Sequence, residues 1–333
     1  MYPFLYPFGT TEDCLRYVRE NLGWDEAALV TAENLAGRKL IPLRTGAELG
    51  TYLGISKKLI SAIAMRPDKY YRGFEITKRN GKKRTINAPR VFLKTIQRYI
   101  LDCILTPIAP HEAACGFRRG SNCATGAVRH LQRPFLWNID LKDFFPSIKQ
   151  FHVIKAFTEI GYPGSAASLL SSLTCLDGSL PQGAPTSPAL ANLIFYSADV
   201  QIAEAAKAGK IVYTRYADDL SFSSMEPINE VFRREVTQII QAAGFHLNPK
   251  KSRLMGPKCG RQVTGLTVNE KLSIPREKRR QLRAKFHNVA KSPTTHVLEK
   301  ARLIGFASWV FEHHPEEGRA YLEIAHSIPD LPK

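Results

Sequence analysis

Apolar residues recur every three or four positions over residues 13–21 and 47–63, the spacing of short helices with one buried face. Near Arg72 the period shortens to two. Phe74 and Ile76, then Asn80-Gly81, then Thr85 and Ile86 predict a β-hairpin, because Asn-Gly supplies the positive φ angles of a tight two-residue turn. That hairpin carries Lys78, Arg79, Lys82, Lys83 and Arg84. Past Pro89, helical spacing returns through Leu93, Ile96, Ile100 and Ile104. From about residue 111 to 266, short strand-like runs alternate with helical ones, with no internal repeat and no low-complexity linker. Pro275 suits the opening of a closing helical region, where Leu282, Phe286 and Val289 face a core and Arg279, Arg280, Arg283 and Lys285 stay exposed.

Composition adds a partner class. The chain has 333 residues, 44% of them hydrophobic, enough for two or three subdomains around a sizeable core. Lys and Arg number 47 against 30 Asp and Glu, a net charge of +17. Clustered positive charge on that scale points to phosphate backbones, bound in a salt-sensitive way. Cys14, Cys103, Cys115, Cys123, Cys175 and Cys259 form no C-x-x-C pair, which argues against zinc ribbons and thioredoxin-like chemistry and suits a reducing cytosol. The opening MYPFLYPF is short, broken by prolines and without a basic leader, so it is not expected to be a signal peptide. No stretch reaches the roughly 18 apolar residues of a membrane helix. A cytoplasmic protein with no membrane partner is expected.

Acidic residues add the chemistry. Tyr216-Ala217-Asp218-Asp219 lies between Ile211-Val212-Tyr213 and Leu220-Ser221-Phe222, which predicts a tight hairpin with two acids at its tip. Adjacent desolvated carboxylates repel each other and are tolerable with a cation between them. Hard divalent ions such as Mg²⁺ prefer such oxygen ligands. An Asp pair alone more often marks a surface turn. Upstream, however, Phe135-Leu136-Trp137-Asn138-Ile139-Asp140 reads as a strand buried through Phe135, Trp137 and Ile139, with Asp140 on the opposite face. A lone buried charge is costly, so Asp140 needs a partner. Beside the Asp218 hairpin it would complete a site for two metal ions roughly 4 Å apart, the arrangement used to activate an attacking hydroxyl and stabilise a leaving pyrophosphate.

These residues resemble a family. N-I-D-L-K-D-F-F at residues 138–145, L-P-Q-G-A-P-T-S-P at 180–188 and Y-A-D-D at 216–219 match, in order, three palm motifs of reverse transcriptases, and the similarity covers most of residues 70–320. The resemblance implies an α+β, right-hand polymerase fold with fingers, an antiparallel palm sheet bearing the catalytic hairpin, and a helical thumb. It divides the chain into an N-terminal helical extension (1–70), fingers and palm (71–266) and thumb (267–333). It makes Asp140, Asp218 and Asp219 the metal ligands for two Mg²⁺ ions, with Mn²⁺ as a substitute. Phe145, five positions after Asp140, would be the aromatic gate against ribonucleotides, and Gln182 and Gly183 would line the incoming base pair. Arg84, with Lys78 as a second candidate, would grip the triphosphate, since arginine's fork suits phosphate oxygens. Lys251, in N-P-K-K, would protonate pyrophosphate; a plain surface lysine is the competing reading. C-G-F-R-R-G-S at 115–121 would contact template backbone.

Two further marks resemble retron enzymes. Val263-Thr264-Gly265 matches a V-T-G motif that helps recognise the enzyme's own RNA, and Gly126-Ala127-Val128-Arg129-His130 matches N-A-x-x-H with Gly in place of Asn. Arg279, Arg280 and Arg283 would join Val263, Thr264, Gly265 and His130 in RNA binding. No room is expected for an RNase H, HNH or maturase region. The resemblance implies self-primed synthesis from a guanosine 2′-OH in a structured non-coding RNA, a branched RNA–DNA product, deoxynucleotide triphosphates as substrates, host RNase H acting on the hybrid, and an effector protein in anti-phage defence. The alternatives are another stand-alone defence reverse transcriptase without a branched product, and a catalytically silent RNA-binding scaffold.

Overall fold

A computed structural model of the chain describes residues 7–77, 81 and 83–330. Helices α1 (Thr11–Leu22) and α2 (Glu26–Gly37) form a small cluster of their own through Cys14, Val18, Trp24 and Leu29. A capping box fixes the start of α1: Thr10 accepts from the Asp13 amide, and Asp13 accepts from that of Thr10. Helical spacing over 47–63 becomes two helices, α3 (Gly46–Leu53) and α4 (Lys57–Met65), because Gly54 takes φ 64° and ends the first. A hairpin forms from β1 (Tyr71–Thr77) and β2 (Lys83–Pro89), paired from Tyr71 opposite Pro89 to Thr77 opposite Lys83; this register leaves residues 78–82 between the strands and is not that of a two-residue Asn80-Gly81 turn, and Asn80 lies outside the described residues. Next comes α5 (Val91–Ile100), which loosens into a π-turn at Leu101–Leu105.

The central block supplies the sheet. In chain order it contains α6 (Cys123–Ala127), β3 (Phe135–Asp140), α7 (Phe144–Ser147), α8 (Gln150–Ile160), α9 (Gly164–Thr174), α10 (Ser187–Ile194), α11 (Tyr196–Ala208), β4 (Val212–Tyr216), β5 (Asp219–Ser224), α12 (Glu230–Ala242) and β6 (Arg253–Met255). The strands form one antiparallel sheet in the order β4-β5-β3-β6. Side chains alternate between its faces. Trp137, Ile139, Tyr213, Leu220 and Phe222 enter the main core with α8–α12. Trp137 and Tyr213 both stack on Phe222 with ring centroids 5.0 Å away, a rigid floor under the opposite face.

That opposite face is covered lower down by the C-terminal part. Leu136 packs there against Ala127, the short hairpin β7 (Gln262–Val263) and β8 (Leu266–Thr267), and helices α13 (Arg276–Lys291), α14 (Lys300–His313) and α15 (Pro315–His326). Leu282, Phe286 and Val289 are buried as their spacing requires. The expected α+β composition with a helical C-terminal region is therefore present. Its packing crosses the expected divisions: Leu35, Leu43, Leu49 and Ile60 belong to the main core, and the β7–β8 hairpin to the C-terminal one. Among the described residues, no helix is long and apolar enough to cross a membrane.

Candidate active site

Two elements bring the acids together. β4 and β5 form a hairpin in which Tyr216 pairs with Asp219, leaving Ala217-Asp218 as a two-residue turn with Ala217 at φ 57°. β5 also pairs with β3, and there Asp140 stands directly opposite Asp219. Directly opposed residues of an antiparallel pair have Cβ atoms about 4.5–5.5 Å apart. The Asp218 carbonyl accepts from the Leu141 amide at 2.9 Å, which holds the turn against the end of β3. Asp140 is 4% exposed. Its Oδ2 accepts from Lys251 Nζ at 2.5 Å and its Oδ1 from Asn248 Nδ2 at 3.3 Å.

The charges there are under-neutralised. Asp219 opens onto the cleft, yet the protein around the cleft floor and the charges of Asp218 and Asp140 push its carboxyl up to about 7. Burial and the Asp140 charge also raise Asp218. On Lys251, burial opposes the charged form, but its hydrogen bond and attraction to Asp140 prevail and hold the ammonium above its ordinary value. These acids do not form a ready-made cage: among the described residues, no group of three or more His, Cys, Asp or Glu stands arranged to hold a metal ion. The ammonium of Lys251 neutralises part of the Asp140 charge. The donor set still fits hard divalent ions, since every donor is a carboxylate oxygen and cations would relieve the repulsion that raises Asp218 and Asp219.

On one side lies a cavity of about 320 Å³ lined by Arg84, Gln182, Asp143, Pro181 and Ser179. The charge of Arg84 reaches Asp218. β2 is strapped to the L-P-Q-G loop by the Asn87 amide donating to the Gln182 carbonyl at 2.7 Å. Gly183, at φ 122°, makes that approach possible, because a Cβ there would stand 2.9 Å from the Asn87 carbonyl oxygen. Phe145 is half-buried against Phe144, at a centroid distance of 5.6 Å. Lys78 lies outside the described residues.

On the other side, Asp219, Lys251, Asn138, Ser221, Thr264 and Gly265 line one cavity of about 380 Å³. Thr264 and Gly265 are the tip of the β7–β8 hairpin, with φ 49° and 82°. Thr264 donates to the Cys123 carbonyl at 2.6 Å, and Val263 is buried in the C-terminal core, so its side chain anchors the hairpin and does not face RNA. His130 needs the clearer correction. It is fully buried, with Nδ1 2.7 Å from Ser223 Oγ and Nε2 2.7 Å from Thr214 Oγ1, so it ties two sheet strands together and offers no atom to RNA. Burial, with Arg129 and Arg133 nearby, holds its pKa down to about 3, and the ring is neutral. Arg279 places two nitrogens on Glu317 Oε2, at 3.0 and 2.7 Å, and Arg283 approaches Glu317 at 3.6 Å; both join α13 to α15. Arg280 is exposed.

Sequence reasoning missed the brace under the hairpin. Arg215 is fully buried and bonded to Asp199 through Nε at 2.8 Å and Nη2 at 2.5 Å. Its Nη1 donates to the Ala217 carbonyl at 3.2 Å and to Asn192 Oδ1 at 3.0 Å, and Asn192 Nδ2 donates to the Gly116 carbonyl at 3.0 Å. Gly116 must be glycine here, since a Cβ would sit 2.7 Å from the Ala217 amide nitrogen. The readable signal was an arginine inside an apolar strand, where a charge requires a partner.

Residues 76–284 match the family described as reverse transcriptase (RNA-dependent DNA polymerase). The chain is 37% identical to the retron Ec86 reverse transcriptase of Escherichia coli over 239 residues, 71% of this chain and 75% of that protein. It is 31% identical to the retron Mx162 reverse transcriptase of Myxococcus xanthus over 346 residues, 90% of this chain and 71% of that one. To the retron Mx65 reverse transcriptase of the same organism it is 33% identical over 297 residues, 82% of this chain and 69% of that one. With the opposed acids, the antiparallel sheet and these matches, the chain belongs to the reverse transcriptase family, among the retron reverse transcriptases, and is an RNA-directed DNA polymerase.

Proposed function

We propose that this enzyme copies a structured non-coding RNA of its own retron, starting from a guanosine 2′-OH within that RNA and leaving a branched RNA–DNA hybrid. The observation that carries this reading is the shared cavity. Asp219 and Lys251 line it together with Thr264 and Gly265, so the V-T-G segment borders the catalytic acids, where a priming hydroxyl has to be held. RNA is read mainly through shape, single-stranded bases and the 2′-OH, which suits an exposed hairpin tip beside a polar cavity.

Reverse transcriptases use divalent metal ions. Asp140, Asp218 and Asp219 would hold two Mg²⁺ ions, replaceable by Mn²⁺, which would supply charge neutralisation for phosphoryl transfer. Arg84, with Lys78, holds the triphosphate. Gln182 and Gly183 line the new base pair, and Phe145 abuts the sugar at C2′ to exclude ribonucleotides. Lys251, once released from Asp140, delivers a proton to pyrophosphate. Thr264, Gly265 and Arg280 contact RNA. Residues 71–266 act as fingers and palm and 267–333 as thumb, with 1–70 as an extension. Host RNase H trims the hybrid, and an effector protein links the product to anti-phage defence in the cytoplasm.

The test is to sequence the nucleic acid that copurifies with the protein and treat it with a 2′–5′ debranching enzyme. DNA joined to RNA through a guanosine 2′ linkage is expected. DNA with a free 5′ end, or RNA alone, would overturn the branched-product reading.

A further inference from the structure

Beneath the catalytic hairpin lies a charge pair wholly out of reach of solvent: the side chains of Arg215 and Asp199 are both 0% exposed. Taking such a pair out of water costs more than its attraction returns unless the remaining donors and acceptors are met, and apolar residues of like size often serve stability as well or better. Two guanidinium nitrogens grip Asp199, and the Tyr213 hydroxyl donates to Asp199 Oδ1 at 2.6 Å. The guanidinium sits over the Phe195 ring, 4.7 Å from its centroid. Its third nitrogen, Nη1, reaches away from the pair to the Asn192 side chain and the Ala217 carbonyl. The backbone of Arg215 is pinned as well: its amide donates to the Ala113 carbonyl at 2.7 Å, and its carbonyl accepts from the Cys115 amide at 2.7 Å. The guanidinium thus has a fixed base from which to hold the turn above it.

The Ala217 contact bears directly on Asp218. A peptide unit is planar, so a bond to the Ala217 carbonyl fixes the plane that also carries the Asp218 amide. The next plane is fixed by the Leu141 amide, which donates to the Asp218 carbonyl. Both peptides flanking Asp218 are therefore clamped, one by Arg215 from the core side and one by the chain leaving β3. A clamp is needed, since Ala217 holds φ 57°, a region that a residue with a Cβ keeps only where its surroundings enforce it. We propose that Arg215, itself aligned by Asp199 and Asn192, is a positioning residue for the reaction: it aims the Asp218 carboxylate through the Ala217 peptide while touching neither substrate nor metal. Mg²⁺ demands near-ideal octahedral geometry, so a small displacement of Asp218 costs rate while the surfaces that bind RNA are unaffected. This rests on the assignment of Asp218 as a metal ligand and adds the group that aims it.

The experiment compares Arg215→Lys with Tyr213→Phe in the full chain. Lysine keeps a buried cation beside Asp199, but one ammonium cannot reproduce the fork that reaches both Asp199 and the Ala217 carbonyl. Tyr213→Phe weakens the same charge pair and leaves the Ala217 contact in place. For Arg215→Lys, kcat in primer extension is expected to fall about 100-fold, with KM for deoxynucleotide and affinity for template–primer near wild type. Mn²⁺ binding to the template–primer complex without nucleotide, read by electron paramagnetic resonance, is expected to weaken in the same variant. Tyr213→Phe should lower Tm and keep wild-type kcat and Mn²⁺ binding. The proposal is overturned if Arg215→Lys lowers Tm yet keeps wild-type kcat and Mn²⁺ binding, or if Tyr213→Phe loses kcat to the same extent; in either case the pair is structural alone. Should Arg215→Lys fail to fold, Asn192→Ala, which strands no buried charge, takes its place: a lowered kcat at unchanged template–primer affinity is expected, and a wild-type kcat contradicts the proposal. Asp218→Ala, run in parallel, separates the two failures, since undiminished synthesis there means that the metal-ligand assignment itself is wrong.

Discussion

Asp219 carries a carboxyl whose protonation is linked to folding. Its ordinary value is 3.8, and in the folded protein it is raised to about 7 by burial and by Asp218 and Asp140. Between those values the folded state binds more protons than the unfolded state, so metal-free stability falls as pH rises from about 4 to 7 and levels off above. Divalent cations remove the repulsion that raises it. Thermal shift measurements are therefore expected to show Mg²⁺ or Mn²⁺ raising Tm more at pH 8 than at pH 5.5. Equal shifts at both values would contradict the assignment of these acids as cation ligands. The acids were legible in the sequence because each breaks an apolar strand pattern at a place where charge needs a partner. His130 and Arg279 were misread because sequence gives a residue's type and not what stands opposite it. Thr214 and Ser223 lie 84 and 93 residues from His130, and Glu317 lies 38 residues from Arg279.

Helices α14 and α15 meet at Gly318, where an added Cβ would lie 2.2 Å from the Phe311 backbone. Gly318→Ala should force the pair apart and destabilise the C-terminal core by about 1–3 kcal/mol, outweighing the roughly 1 kcal/mol gained from alanine's helix propensity. A Tm at or above wild type would show that the helices can separate freely. Period-two and period-3.6 patterns located the basic hairpin, β3, the β4–β5 hairpin and α13, although Phe74 and Ile76, whose alternation marked the basic hairpin, stay exposed. Patterns could not show that the face of β3 bearing Leu136 is also covered, since Ala127 and residues between Val263 and Ile328 supply that cover. Nor did they place the break at Gly54, where one positive φ outweighs a continuous apolar stripe.

Taken whole, the molecule sets a net charge of +17 around a negatively charged catalytic centre. Positive charge attracts RNA without regard to sequence, and the acids at its centre require cations before a phosphate chain can approach closely. Binding and chemistry thus rest on different residues and should separate on mutation. Primer extension on an RNA template with deoxynucleotides and Mg²⁺, comparing wild type with Asp218→Ala and Asp140→Asn, tests this most directly. Wild type is expected to make complementary DNA, while both variants bind the template–primer normally and give only background synthesis. Undiminished synthesis by either variant would contradict the assignment of that acid to the reaction.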